Sequence, residues 1–155
     1  MTPRRRPGLI GTDGGLETRM DRELFEAAKR AREKAHAPYS RFQVGAAIRT
    51  LAGTVHTGCN VENASFPEGW CGETSAIAAM IGASGAAPGR RIAAIAVVAA
   101  RIDGNLTTPC GGCRQRIAEF AGPDTPVHVF DLDGEGRSFT LAELLPAAFY
   151  LAQKP

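Results

Sequence analysis

Residues 21–37 have the hydrophobic periodicity of a helix that buries one face against a core. Apolar side chains recur at intervals of up to four residues along one face, at Leu24, Phe25, Ala28, Ala31 and Ala35. Charged side chains fill the other face. Asp21 is suited to cap the first turn, and Pro38 stops the helix. The pattern therefore predicts one amphipathic helix over this segment.

Strands and helices alternate after this first helix. Strand-like runs at residues 42–50 and 55–61 flank a turn at Ala52-Gly53 and predict a β-hairpin. Residues 91–100 form an almost uninterrupted apolar run, which is typical of a strand buried on both faces. The remaining predicted elements are helices at residues 71–83, 111–121 and 141–145 and strands at residues 126–131 and 137–140. This order predicts an α/β fold, a three-layer α/β/α sandwich around a mixed five-stranded sheet.

The length of the chain, 155 residues, favours a single domain with its own core. Residues 1–20 contain four glycines and two prolines and show no apolar periodicity. We therefore expect a disordered N-terminal leader over residues 1–20 and one folded domain over residues 21–155.

The charge distribution argues against nucleic acid or a membrane as a partner. The formal net charge is +2, and residues 1–20, with four arginines and two acidic residues, account for all of it. The neutral remainder lacks the basic surface that binding along a phosphate backbone requires. The apolar run at residues 91–100 is too short to span a bilayer, which needs ~20 residues. Because the start shows no secretory signal, we expect a cytoplasmic location.

Three of the four cysteines lie where predicted helices begin. Cys71 opens one helix, and the Cys-x-x-Cys pair of Cys110 and Cys113 opens the next. The helix and strand between them return the chain to the same edge of the sheet, which brings both helix starts together. Helix N-termini lower the pKa of a thiol, and zinc binds deprotonated sulfur. A Cys-x-x-Cys pair also fits an iron–sulfur or thioredoxin-like redox site, but the third thiol favours zinc.

Two further residues bear on whether such a zinc would be structural or catalytic. Four protein ligands close a zinc site, whereas three leave a position for water. Cys59 lies in a predicted strand beside apolar residues, where a free cysteine usually acts as a small hydrophobic side chain rather than a ligand. Glu73 is too close in sequence to Cys71 to bind the same ion easily, but it can reach a water on that ion. The alternative reading of Glu73 is a first-turn acid that only interacts with the helix dipole.

Four distinctive runs of sequence follow one another along residues 21–150: YSRFQVGAA, GCNVENASFPEG, CGETSAI and PCGGCRQ. In content, order and spacing, these runs resemble those of the small, homotetrameric cytidine deaminases. The resemblance implies that fold, zinc as the cofactor, a small-molecule nucleoside as the substrate, and a homotetramer with active sites at subunit interfaces.

The resemblance also implies roles for individual residues. It makes Cys71, Cys110 and Cys113 the zinc ligands and Glu73 the proton shuttle. The implied substrate contacts are Phe42 on the pyrimidine, Asn60 and Glu62 on the ribose hydroxyls, Ala64 and Phe66 near the ribose, the Gly72 main chain on the base carbonyl, and Phe149 on the base from a neighbouring subunit. A buried amide and carboxylate can also reject a base that lacks its sugar. Taken without the resemblance, the same two residues would be a turn former and a surface acid.

The chain departs from the family pattern directly after Cys71. The family run CAERTA reads CGETSA here, so Gly72 replaces an alanine and Thr74 replaces an arginine. Three thiolates on Zn²⁺ leave one net negative charge, which the family arginine offsets by hydrogen-bonding the thiolates. Excess thiolate charge makes zinc a weaker Lewis acid. We therefore expect that Arg114 or another cation compensates, or that turnover is reduced.

The expected activity is the hydrolytic deamination of cytidine and 2′-deoxycytidine in pyrimidine salvage. Two alternatives stay open. A deaminase of another cytosine-containing nucleoside, such as a nucleoside antibiotic, would share the Cys-x-Glu and Pro-Cys-x-x-Cys motifs. A zinc-stabilised binding module without catalysis would instead have four thiolate ligands and no exchangeable water.

Overall fold

The computed structural model describes residues 21–151, so the leader expected over residues 1–20 lies outside the described residues. The elements in chain order are α1 (Arg22–Arg32), β1 (Val44–Thr50), β2 (Val55–Cys59), a 3-10 turn (Phe66–Glu68), α2 (Gly72–Ala83), β3 (Ile92–Ala99), α3 (Gly111–Phe120), β4 (Pro126–Phe130), β5 (Gly136–Thr140) and α4 (Leu141–Leu144). Among residues 21–151, no helix has the length and apolar character that crossing a bilayer demands.

The sheet has five strands in the order β2-β1-β3-β4-β5. Strand β1 lies between β2 and β3 and is antiparallel to both. Strand β3 is parallel to β4, and β4 is antiparallel to β5. The predicted mixed five-stranded sheet is therefore confirmed, with the apolar strand β3 at its centre.

Two separate hydrophobic clusters cover the two faces of the sheet. Successive residues of β3 alternate between them, because neighbouring side chains on a strand point to opposite faces. Ile95 and Val97 pack in a cluster with α2, α3 and α4, whereas Ala96 and Val98 pack in a cluster with α1. Helices on both faces of one sheet make the predicted three-layer sandwich.

Helix α1 begins as predicted but ends earlier, at Arg32 rather than at Ala37. The Asp21 side chain accepts a hydrogen bond from the amide of Leu24 and so caps the first turn. Beyond Arg32, the amide of His36 donates to the carbonyl of Asn60 and the amide of Glu62 donates to the carbonyl of His36. This backbone pairing overrides the helical pattern at Ala35 and fixes the segment that contains Asn60 and Glu62.

Glycines at two positions let helices lie directly against the hairpin. A Cβ at Gly45 would collide with the backbone of α1 at Ala28, and a Cβ at Gly58 would collide with the backbone of α2 at Ala76. The carbonyl of Gly72 lies 2.6 Å from that same Cβ position at Gly58. The first turn of α2 is therefore held against the end of β2.

Candidate active site

Two helices on the same face of the sheet each begin directly after a cysteine. Cys71 is the N-cap of α2 and Cys110 is the N-cap of α3, and neither side chain makes a capping hydrogen bond. Cys113, in the first turn of α3, is fully buried. The two helix N-termini thus present three sulfur atoms where the partial positive charge favours thiolates.

The three sulfur atoms fit the geometry of zinc ligands. The Sγ atoms of Cys71, Cys110 and Cys113 all lie within 4.8 Å of one another. Those of Cys71 and Cys110 are 3.9 Å apart, much farther than the ~2.05 Å of a disulfide. A tetrahedral zinc with Zn–S bonds of ~2.3 Å requires sulfur atoms ~3.8 Å apart. Both the donor type and the spacing therefore suit this metal.

Cys59 lies outside this group. It ends β2, and it borders a surface cavity together with Ala31 of α1. Because neighbouring side chains alternate along a strand and Gly58 faces α2, Cys59 faces the α1 layer instead. This position agrees with the expectation that Cys59 is not a fourth ligand.

The close approach of the thiols changes their acidity in opposite directions. Contact with the Cys113 thiol is the main cause that lowers the pKa of Cys71, to about 6. The same contact, followed by burial, raises the pKa of Cys113. One thiolate forms easily because the neighbouring S–H stabilises it, and the next loss of a proton is opposed by the charge already present.

Glu73 places a carboxyl group beside the sulfur atoms in the first turn of α2. The residue is only 3% exposed, and this burial raises the pKa of Glu73 above its ordinary value. A raised pKa makes a carboxyl group a better proton carrier, which is what general acid–base catalysis requires. Glu73 is therefore suited to moving protons beside the sulfur atoms.

A cavity of about 330 Å³ joins these groups to most of the other predicted site residues. This volume suits a small ligand. The predicted residues along its lining are Phe42, Asn60, Glu62, Phe66, Cys71, Gly72, Glu73 and Cys110. Residues from three separate parts of the chain thus meet in one pocket that has the sulfur cluster on its wall.

Comparison with known proteins identifies the family to which this arrangement belongs. The family model of the cytidine and deoxycytidylate deaminase zinc-binding region matches residues 18–129. The chain belongs to this deaminase family. A cytidine deaminase from Sporosarcina psychrophila is 43% identical over 127 residues, which are 82% of this chain and 89% of that protein. One from Halalkalibacterium halodurans is 45% identical over 132 residues, which are 84% of this chain and 95% of that protein.

A solved structure agrees with the sequence relatives. The crystal structure of the cytidine deaminase from Burkholderia pseudomallei matches with a TM-score of 0.76 at 44% identity, and the match covers 83% of this chain and 98% of that chain. The resemblance found in the sequence motifs and the expected fold are both confirmed.

Asn60 and Glu62 of this deaminase-family chain are held in place by backbone groups. The Oδ1 atom of Asn60 accepts from the amide of Val44, and its Nδ2 atom donates to the carbonyl of Phe42, both at 2.8 Å. Glu62 accepts from the amides of Tyr39 and Ser40 and from the Ser40 hydroxyl. The hydroxyl contact is the main cause that lowers the pKa of Glu62, so this acid stays ionised.

Two residues that were expected to contact the substrate do not line this pocket within a single chain. Ala64 is exposed and does not line the cavity, because it lies in the loop before the 3-10 turn. Phe149 is 67% exposed and borders a different, larger cavity of about 760 Å³, which includes neither Glu73 nor a cysteine. Its carbonyl accepts a hydrogen bond from Gln115 on α3. A contribution of Phe149 to a neighbouring subunit stays a prediction.

Arg114, the first expectation for the compensating cation, makes its side-chain hydrogen bonds away from the thiols. Its guanidinium donates to the carbonyls of Pro109 and Leu144 and to the hydroxyl of Thr108. Arg114 therefore braces the turn before α3 against the end of α4. Thr74 lies with its Oγ1 atom 3.9 Å from the sulfur of Cys113, so only a hydroxyl occupies the position of the family arginine.

The sequence analysis missed several residues of the pocket wall. Trp70, Thr107 and Thr108 line the cavity beside the predicted residues. Trp70 is positioned by paired backbone hydrogen bonds with Val61. Their closeness in sequence to Cys71 and Cys110 could have indicated that they line the pocket, because residues just before a ligand at the start of a helix lie next to that ligand.

Proposed function

We propose that the protein catalyses the hydrolytic deamination of cytidine and 2′-deoxycytidine to uridine and 2′-deoxyuridine, with release of ammonia. The observation that carries this proposal is the buried Glu73 carboxyl beside three zinc-compatible sulfur atoms, with Glu73, Cys71 and Cys110 lining one small pocket. The relatives named above, which are cytidine deaminases, support the choice of substrate.

Cys71, Cys110 and Cys113 would hold the zinc ion, which when bound supplies Lewis-acid activation of water. Glu73 takes a proton from the attacking water and delivers it to N3 of the cytosine ring as C4 is attacked. The same carboxyl then takes the remaining proton from the new C4 hydroxyl and passes it to the amino group, so that the C4–N bond breaks, ammonia leaves and the C4 oxygen becomes the carbonyl of uridine. Burial of Glu73, which raises its pKa, makes it able to hold the proton between these two steps.

The other lining residues of the pocket orient the nucleoside. Phe42 packs on the pyrimidine, and the Gly72 amide at the start of α2 donates to the base carbonyl. Asn60 and Glu62 bond the ribose hydroxyls. Glu62 is suited to this because it is already ionised, and a carboxylate has acceptor sites beyond those its backbone partners use.

The remaining expectations belong to the same proposal. A homotetramer, with Phe149 and Ala64 close to a neighbouring subunit's substrate, would complete the site. Three large apolar side chains are exposed together, those of Phe149, Tyr150 and Leu151. Contact with a neighbouring subunit would bury them. We place the enzyme in pyrimidine salvage in the cytoplasm, acting on free nucleosides rather than on nucleic acid, because the net charge beyond residue 20 is zero.

The test compares the zinc-loaded wild type with E73Q in an ultraviolet assay of cytidine loss. E73Q keeps the shape of the side chain and the three thiols, so it should bind zinc like the wild type. Its kcat should fall by about 10²–10⁴-fold because the proton carrier is lost. The matched control is E68Q, which changes an exposed acid of the 3-10 turn. Wild-type turnover in E73Q, with zinc content unchanged, would refute the mechanism.

A further inference from the structure

The proposed zinc site carries more negative charge than its immediate neighbours offset. Three thiolates exceed the charge of Zn²⁺ by one, and the Glu73 carboxyl adds to this when it is ionised. Thr74 contributes a hydroxyl and no charge. The guanidinium of Arg114 donates its hydrogen bonds to two carbonyls and a hydroxyl. A cation near the sulfur atoms, in addition to zinc, would offset this excess charge.

Arg116 is positioned to be that cation. It follows Cys113 by three residues and Gly112 by four on α3, so all three lie along the same face of the helix. A helical side chain points back toward the N-terminus, and here the Nη1 atom of Arg116 lies 3.2 Å from where a Cβ at Gly112 would be. The guanidinium thus lies over Gly112, one of the two residues between Cys110 and Cys113.

The charge of Arg116 is not taken by an acidic side chain. The salt bridges within residues 21–151 use Arg49 and Arg101 and do not include Arg116. The positive charge that lies beside Gly112 is therefore not neutralised by an acidic partner and can act on the neighbouring thiolates.

We propose that Arg116 is the cation that offsets the excess negative charge of the three-sulfur site, and that Gly112 provides the space for its guanidinium. This inference rests on the proposed function, because it assumes that the three cysteines hold zinc. Arg116 acts through the thiolates and not on the substrate, so it is a positioning residue. Its loss should weaken zinc binding and also lower the Lewis acidity of the bound ion.

The test measures zinc affinity of the full-length protein by competition with a chromophoric chelator. R116Q removes the charge and should weaken zinc binding by about 10–100-fold. R116K keeps the charge and should retain most of the affinity. The double variant T74R/R116Q returns a cation next to Cys113 from the α2 side, so it should recover affinity, which a purely structural role of Arg116 would not allow. R30Q, on the exposed face of α1, is the matched control.

Circular dichroism of each variant checks that it folds. If R116Q does not fold, G112V takes its place: it keeps the charge but displaces the guanidinium, and it should also weaken zinc binding. Zinc affinity in R116Q, or in G112V, equal to that of R30Q would overturn the role of Arg116. Zinc content and cytidine turnover of the wild type separate this result from the proposed function: a wild type lacking both contradicts that function, whereas a wild type with both and an unaffected R116Q contradicts only the inference.

Discussion

The Asn60 side chain joins the end of the hairpin to the segment before β1, and its replacement by alanine gives a quantitative test. N60A removes two hydrogen bonds of 2.8 Å, one to the amide of Val44 and one to the carbonyl of Phe42. A hydrogen bond of this type contributes about 1 kcal/mol net. We therefore expect a loss of about 2 kcal/mol in the free energy of unfolding, or about 4–8 °C in Tm for a chain of this size.

The assay is thermal unfolding of N60A, followed by circular dichroism, beside the matched control N63A. Asn63 accepts one hydrogen bond, from the amide of Ser65, in an exposed loop. Its loss should therefore cost clearly less stability. N60A should also raise KM for cytidine, since Asn60 is proposed to bond the ribose and holds Phe42 in the pocket wall. A Tm equal to that of N63A would refute the calculation, because it would mean that the two contacts of Asn60 add no more stability than the single exposed hydrogen bond of Asn63.

Two further predictions concern subunit contacts and pH. If Phe149 serves a neighbouring site, F149A and E73Q should each lose activity alone, and mixed assemblies should recover part of it, because one mixed site then has both native residues; co-assembly without recovery would contradict this. Burial lowers the pKa of His128, an effect that Asp21 partly opposes. Below the ordinary histidine pKa of ~6.5, the unfolded chain binds a proton that the native state binds less readily. Stability should therefore decrease as pH falls through this range, and urea unfolding of H128N should show a smaller decrease. An identical pH dependence in both proteins would refute the assignment.

The helices that carry the cysteines, and the central strand between them, could be predicted from the sequence because local signals specify them. Cys71 and Cys110 precede helices in the structure as they do in the pattern, and the apolar run at β3 forms the buried central strand. The end of α1 could not be predicted in this way. Ala35 continues the apolar spacing, but the backbone pairing of His36 with Asn60 and Glu62 depends on the tertiary structure.

The choice between Arg114 and Arg116 shows a second limit of the sequence motifs. Arg114 belongs to the recognised PCGGCRQ run, and that membership suggested it as the compensating cation. On a helix, however, a residue directly after Cys113 points away from it, whereas a residue three positions later shares its face. Helical geometry therefore favours Arg116, the cation that we propose, whereas the motif drew attention to Arg114.

The separation of the sulfur atoms along the chain has a consequence for biosynthesis. Cys71 begins one helix, and Cys110 and Cys113 lie in another, with the central strand β3 between them. A growing chain cannot assemble the trio until α3 has left the ribosome and packed beside α2. Metal binding is therefore coupled to the completed folding of this half of the protein, and zinc content would report how much of a preparation has reached its final fold.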